Sequence, residues 1–408
     1  MSVPSPAPQR PWQRPTRRGL LRLAAPLAAS GLAPAWAVAA TVAVPAAEAW
    51  AAAWDDADGR HWVGVLRREA GRGWQLGPRL ELPTRAHGLY AEAGGALLVC
   101  ARRPGEWLLR WWPQGGPAPQ WHWAGPDRRF TGHALLAPPG AGPAEGAVFT
   151  IEADQDTGAG LWVRRDARSL AVQQEWPTHG LDPHQALWEP GGTVLLANGG
   201  VPTQAETGRA RRDMARMDSS LVRLDPLTGT LRAQWRLADP RLSLRHLARH
   251  ASGVVGVALQ AEHDDPAQRA AAPLLALLPA AAAPGAEEQP GLRPGATALQ
   301  LAPQSRALAG YGGDVLATDE GFLVGAPRAG GVARFTLAGG LQSLLPLPEG
   351  CAMAASRDAA AVALGREASL AWDAPARSAG GPAQGTPRAW PLPAGLRPDN
   401  HALSLPAS

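Results

Sequence analysis

Arg85-Ala86-His87-Gly88-Leu89 decides the reading of this chain, because it recurs. Variants stand at Thr131-Gly132-His133-Ala134-Leu135, Asp182-Pro183-His184-Gln185-Ala186, Arg245-His246-Leu247-Ala248 and Asn400-His401-Ala402-Leu403. In each, a histidine introduces a short apolar run. Tyr311-Gly312-Gly313-Asp314-Val315 and Gly350-Cys351-Ala352-Met353 share the form without an imidazole. With Gly312 and Cys351 at the repeated place, the steps are 46, 51, 62, 66, 39 and 50 residues. A four-stranded propeller blade takes about 40–50 residues. The seven units therefore predict an all-β chain forming a single seven-bladed β-propeller over residues 45–408.

The runs around the repeat fit that plan. Ala49–Trp54, His61–Arg67 and Trp74–Leu82 read as three strands, with Asp55-Asp56-Ala57-Asp58-Gly59 as their first turn. The His87 strand then opens the next blade. At the other end His401-Ala402-Leu403-Ser404-Leu405 is one strand with nothing after it. Pairing it with the three N-terminal strands closes the ring and leaves no open end. The expected position of the repeat is the start of each innermost strand, at one mouth of the central channel.

Composition agrees. Gly 47 and Pro 41 fall between apolar runs, as turns do in an all-β chain. Many of the 17 Trp lie in strand-like runs such as Trp107–Trp112, and packing between blades is their expected role. Cys100 and Cys351 belong to different blades and different radii, so no disulfide is expected between them. Ala280–Pro294 and Ala374–Pro387 read as surface loops, and 202–218 as a long basic excursion after Asn198-Gly199-Gly200.

Residues 1–40 read as an export signal. Arg17-Arg18 precede a weakly apolar stretch, Leu23 to Ala40, and Ala37-Val38-Ala39 is a small-x-small cleavage pattern. Paired arginines before such a core point to the twin-arginine translocase as an export partner, with a basic N-terminus on an ordinary secretory signal as the alternative. The expected location of the mature chain is the periplasm. No later segment reaches ~18 uninterrupted apolar residues, so no stable membrane span is expected after cleavage.

Charge and residue usage exclude several functions. The formal net charge is +4, but five of the 39 basic residues lie in the first 22 positions and no acid precedes Glu48. Without that leader 34 Arg face 35 acids, which gives no electrostatic case for nucleic acid. The chain has no lysine, so it has neither a Schiff-base lysine nor a phosphate-loop lysine. No Gly-x-Ser-x-Gly elbow or Cys-x-x-Cys-His haem attachment occurs.

The histidines carry the remaining chemistry. Neutral imidazole binds zinc, copper, iron and nickel, and several converging imidazoles make a strong transition-metal site. His133, His184 and His246 are the first expected ligands, being on consecutive blades, with His87 and His401 in support. A channel mouth is wide, so all five are not expected on one ion. Asp182, Asp154 and Asp156 are candidates to orient the rings or add oxygen ligands. Cys351 is a candidate soft ligand or a small buried residue. A repeated histidine can equally be structural, bonding a carbonyl of the next blade. His61, His122, His179, His250 and His263 break the register and are assigned no chemistry.

With these segments assembled, the chain resembles the bacterial domain-of-unknown-function family numbered 1513 over roughly residues 45–403. The likeness rests on Arg85-Ala86-His87-Gly88, Phe130–His133, His179–His184, Leu196–Gly200, Gly208-Arg209, Met217–Leu221, Arg245–Ala248, Gly310–Gly313, Pro327–Gly331 and Asn400-His401. It implies a propeller with a twin-arginine leader. It also implies a gene context of periplasmic iron-uptake proteins, including imelysin-like and di-haem peroxidase-like components. It implies no reaction. Arg211-Arg212-Asp213-Met214 departs from the Leu-Asn pair expected there, which puts a role for that family asparagine in question.

Three functions follow as expectations. The first is a periplasmic propeller that binds or handles iron or copper in iron uptake. The second is a metal-dependent hydrolase or oxidoreductase of the same compartment. The third is a metal-free protein-interaction scaffold. The cofactor expected is a transition metal ion: iron, copper or zinc.

Overall fold

The computed structural model describes residues 48–69, 73–202, 213–280, 298–304, 307–355, 361–372 and 386–406. The expected leader, residues 203–212 of the basic excursion and most of the two other expected loops lie outside the described residues.

The described chain from Glu48 onward is all β apart from a single short helix, Pro266–Ala271, and three one-turn 3-10 segments. The first blade begins with β1 (Glu48–Asp55), β2 (His61–Glu69) and β3 (Gly73–Leu82). The second is β4 (Ala86–Ala91), β5 (Leu97–Ala101), β6 (Trp107–Trp111) and β7 (Gln120–Trp123). The third is β8 (Arg128–Leu136), β9 (Val148–Asp154), β10 (Ala159–Arg165) and β11 (Val172–Leu181). The fourth is β12 (Pro183–Trp188), β13 (Val194–Asn198), β14 (Ser220–Leu224) and β15 (Leu231–Trp235). The fifth is β16 (Leu242–Arg249), β17 (Val255–Ala261), β18 (Leu275–Leu278) and β19 (Gln300–Leu301). The sixth is β20 (Val315–Thr318), β21 (Gly321–Ala326), β22 (Gly331–Thr336) and β23 (Leu341–Pro346). The seventh is β24 (Ala352–Ala355), β25 (Ala361–Leu364), β26 (Ala368–Trp372) and β27 (Arg388–Pro391). The last strand, β28 (Arg397–Leu405), returns to the first blade in the order β28-β1-β2-β3.

Seven four-stranded antiparallel sheets and the closing strand are the architecture that the repeat predicts. Closure is register-specific: Ala49, Trp50, Ala51 and Ala52 pair with Leu405, Ser404, Leu403 and Ala402. The ring has no single core. Each apolar cluster lies between two neighbouring blades. Trp50, Trp54 and Trp74 pack on Val362 and Leu364 of the seventh blade, and Trp107 packs with Ala51 and Val63 of the first. Phe149 and Trp162 stack at 4.7 Å against the fourth blade's Val194 and Leu196. The tryptophans named here thus hold blade to blade, burying large apolar areas that a lone four-stranded sheet would expose. Trp123, more than half exposed, is a counter-example.

Deleting residues 398–408 removes most of β28 and uncovers the inner edge of β1. The loss expected is several kcal/mol, roughly the scale of a domain's whole stability. Thermal unfolding of the truncated protein reads this; a melting temperature equal to that of the full chain would show that closure contributes nothing.

Candidate metal centre

The innermost strand of each blade packs on the innermost strands beside it, and five of these strands deliver a histidine. The backbone does this by one device. In β4, Ala86 pairs with Ala101 and Leu89 with Val99, so His87 and Gly88 oppose Cys100 alone. In β8, residues 131–133 oppose Ile151; in β12, His184 and Gln185 oppose Ala197. In β16, Arg245 and His246 oppose Ala258; in β28, residues 399–401 oppose Ala53. Each histidine therefore sits on a β-bulge, which bends the strand and re-aims a side chain. The strands without a histidine, β20 and β24, pair with β21 and β25 without a shift. His87 and His184 are second in their strands, as expected of a strand opener. His133, His246 and His401 lie mid-strand, because the bulge and not the strand start sets the position.

All five rings meet. His87 of the second blade lies 4.8 Å from His133, 5.6 Å from His184 and 4.7 Å from His401, centroid to centroid. His246 of the fifth blade lies 5.8 Å from His87 and 5.4 Å from His133. Contact between blades that are not neighbours places the rings on the channel axis. All five are buried, so they form an enclosed cluster and do not line an open mouth. Gly132, at φ +109°, permits this closeness: a Cβ there would stand 2.5 Å from the His87 ring.

Donor atoms of His87, His133, His184 and His246 all lie within 4.8 Å of one another. Donor atoms of His401, His246 and Asp314 likewise lie within 4.8 Å of one another. In the first set, His87 Nδ1, His133 Nε2 and His184 Nδ1 are buried without a hydrogen-bond partner among the described residues.

The protons follow from the partners. His246 Nδ1–H donates to the carbonyl oxygen of Gly313 on the next blade, at 2.6 Å. A carbonyl only accepts, so in neutral His246 the Nε2 carries a lone pair. Two imidazole nitrogens approach that lone pair: His184 Nε2 at 2.9 Å and His401 Nε2 at 3.1 Å. His401 Nδ1 lies 3.2 Å from Asp314 Oδ2, a carboxylate that favours the proton on the nitrogen facing it. With the proton there, the Nε2 lone pairs of His401 and His246 point at each other. His133 Nδ1 lies 3.0 Å from the hydroxyl of Tyr90.

Burial holds His87, His133, His184 and His246 neutral. It pushes His87, His133 and His184 well below the usual histidine range, and neighbouring imidazoles push them further. Burial, with His401 beside it, pushes His246 down to about 3. Neutral imidazole is the form that ligates a metal.

Three buried aspartates surround the cluster, two of them held by arginines. Arg85 at 2.8 Å and Arg102 at 3.1 Å hold Asp399, whose Oδ1 also lies 3.7 Å from His87 Nδ1. Arg245 at 2.8 Å and Arg103 hold Asp182. Arg103, from the second blade, reaches over the third blade to the fourth. Asp314 is bound differently: it accepts the backbone N–H of Val315 and of Met353 and faces His401.

Several expectations on supporting residues need correction. Asp182 faces arginines and does not orient a ring. Asp154 caps the β9–β10 turn through Thr157, and Asp156, exposed, lies in that turn, so both are remote from the cluster. The sixth blade contributes Asp314 and the Gly313 carbonyl, where Gly312 was aligned. Cys351 is buried against Gly313, and burial pushes its thiol up to about 12, which keeps it protonated and a poor ligand. Both cysteines are free, as expected. The off-register histidines have local partners: His61 with Asp55, His122 with Arg165, His179 with the Gly229 carbonyl, His250 with Ser252 and His263 with Asp239. Tyr90, Asp314 and Asp399 were not singled out from sequence. Asp314 and Asp399 each stand within two residues of a repeat position, and that nearness is the signal by which the sequence could have found them.

Residues 80–405, most of the propeller, match the family described as protein of unknown function (DUF1513). The chain belongs to that family. No curated protein matches it. Among solved structures, it is similar to a hydrazine synthase chain of Kuenenia stuttgartiensis, with TM-score 0.51 and 13% identity over 76% of this chain and 91% of that one. It is also similar to a functionally unknown protein from Desulfotomaculum acetoxidans, with TM-score 0.50 and 10% identity over 88% of this chain and 98% of that one. At such identities the likeness shows the propeller fold alone. Among the described residues of this family member, no helix is long and apolar enough to cross a membrane.

Proposed function

We propose that this DUF1513 propeller binds and handles a transition metal at its axial histidine cluster. The observation that carries the reading is the His246 Nε2 lone pair, approached by two further imidazole nitrogens at 2.9 and 3.1 Å. The Nε2 lone pairs of His246 and His401 oppose each other at 3.1 Å, and a cation on His246 Nε2 relieves that opposition. Ligand nitrogens at ~2.0–2.1 Å from an ion stand roughly 3.3 Å apart when tetrahedral, close to those separations. The set His87, His133, His184 and His246 offers nitrogen only, which suits zinc, copper or iron and not calcium or magnesium. Four protein ligands leave no position open for substrate, which favours holding a metal over catalysis with one.

The compartment and the pathway are part of the proposal. The leader arginines Arg17-Arg18 support export to the periplasm, and the family resemblance supports service in iron uptake beside other periplasmic proteins. The test is metal content. Apo protein titrated with zinc(II), copper(II) and iron(II) under anaerobic conditions is expected to retain one ion per chain after gel filtration, with its histidine NMR signals shifted. No retained ion of any of the three would end the reading.

A further inference from the structure

We propose that the cluster offers one ion two alternative seats that share His246, and that the ion passes between them as it loads and leaves. The inference rests on the reading of the cluster as a transition-metal site and adds how that site exchanges its ion. The first seat is His87, His133, His184 and His246; the second is His246, Asp314 and His401. His246 belongs to both, but it has one nitrogen to give. Its Nδ1 is committed to the Gly313 carbonyl at 2.6 Å, so a bridge between two ions through both ring nitrogens is closed. The seats are therefore alternatives and not a binuclear pair.

The geometry makes the passage short. His184 Nε2 and His401 Nε2 stand 2.9 and 3.1 Å from the same atom, His246 Nε2. An ion held by His246 exchanges one of these imidazoles for the other while the pivot bond stays. The seats differ in chemistry. The first is neutral and all nitrogen, and holds borderline metals by imidazole alone. The second contains a carboxylate. Asp399 also faces a ring, 3.7 Å from His87 Nδ1, but arginine pairs offset its charge and that of Asp182, whereas Asp314 has His401 and two backbone amides as its partners among the described residues. A hydrated dication is captured first by charge, at the mixed seat, and is then stripped of water by imidazoles in the nitrogen seat. Release runs the same path backwards.

Rates test this. Apo wild-type protein is mixed with cobalt(II) in a stopped-flow spectrometer, and the loaded protein is then challenged with EDTA. Cobalt is expected to saturate at one ion per chain. Asp314→Asn is expected to slow loading and extraction together, by about tenfold each, a size typical of supporting groups at metal sites. His401→Gln should slow both in the same way, and it carries the test if Asp314→Asn melts early in the apo form. An Asp314 that merely orients His401 would leave loading at the wild-type rate and speed extraction, which overturns the relay while leaving the metal site intact. Two ions per chain at saturation would also overturn it. Failure of wild-type protein to take up cobalt, zinc, copper or iron would remove the metal reading itself, and the relay with it.

Discussion

Replacing His246 by alanine is expected to lower transition-metal affinity by about 100- to 1000-fold. Structural four-ligand zinc sites hold their ion by roughly 10–16 kcal/mol, so one ligand of four represents about 3–4 kcal/mol. His246 is the right residue to remove because it belongs to both donor groups and its Nε2 faces two other rings. It is also the most buried of the five, which makes compensation by water least effective. Competition titration against a chelator of known affinity reads the change. His263→Ala serves as the control, since that ring pairs with Asp239 away from the cluster. Equal affinities for wild type and His246→Ala would show that no ion is held here. Should the alanine variant unfold, His184→Ala gives the same test, with a loss of the same order.

The propeller was legible because a ring imposes the same demand on every blade. Each must place one strand at the axis, and five of them mark that strand with a histidine before an apolar run. The solitary His401–Leu405 strand made closure legible too, since it had no partner in its own neighbourhood. The gathering of the five rings followed from the ring alone. Their depth did not. It depends on bulges at His87, His133, His184, His246 and His401, and a bulge is a property of pairing between two strands. A single strand's sequence does not display it. For the same reason three of the histidines lie mid-strand and not at the opening.

Asp314 escaped notice because the sixth blade lacks the imidazole that marks the others. Alignment on the glycines put Gly312 at the repeated place, two residues short of the group that reaches the cluster. The arginine clamps were invisible for a different reason. Arg103 and Asp182 are far apart in sequence and lie on blades that are not neighbours, so no local pattern joins them. Proximity in sequence misled for Asp154 and Asp156, which follow the His133 strand but turn outward to cap a hairpin. His246 satisfies both expectations at once. Its Nδ1 bonds a carbonyl of the next blade, as a structural histidine would, and that bond is what frees Nε2 for a cation.

The metal-free protein is expected to unfold cooperatively in acid, with a midpoint of about pH 3.5–5.5. Four imidazoles, His87, His133, His184 and His246, are held neutral below the usual histidine range, the last down to about 3. In the unfolded chain each takes a proton near pH 6.5. Between that value and the folded ones the unfolded state binds more protons, so stability rises with pH. The contribution is complete above about pH 6.5 and is lost as pH falls toward the folded values. Each group gives a slope of up to about 1.4 kcal/mol per pH unit, so four give about 5 kcal/mol per unit. Against a total stability of roughly 5–15 kcal/mol, about one to three units below 6.5 suffice. A bound ion opposes this, because ligation requires the neutral rings and adds binding free energy to the folded state. The midpoint of the loaded protein should therefore lie below that of the apo form. Tryptophan fluorescence followed from pH 7.5 to 3, with and without zinc, measures both. His87→Phe keeps a ring in the cluster and removes one titrating group, and should make the apo transition shallower by about one proton. An apo midpoint below pH 3.5, or a transition that takes up fewer than about two protons, would mean that the cluster is already charged in the folded protein.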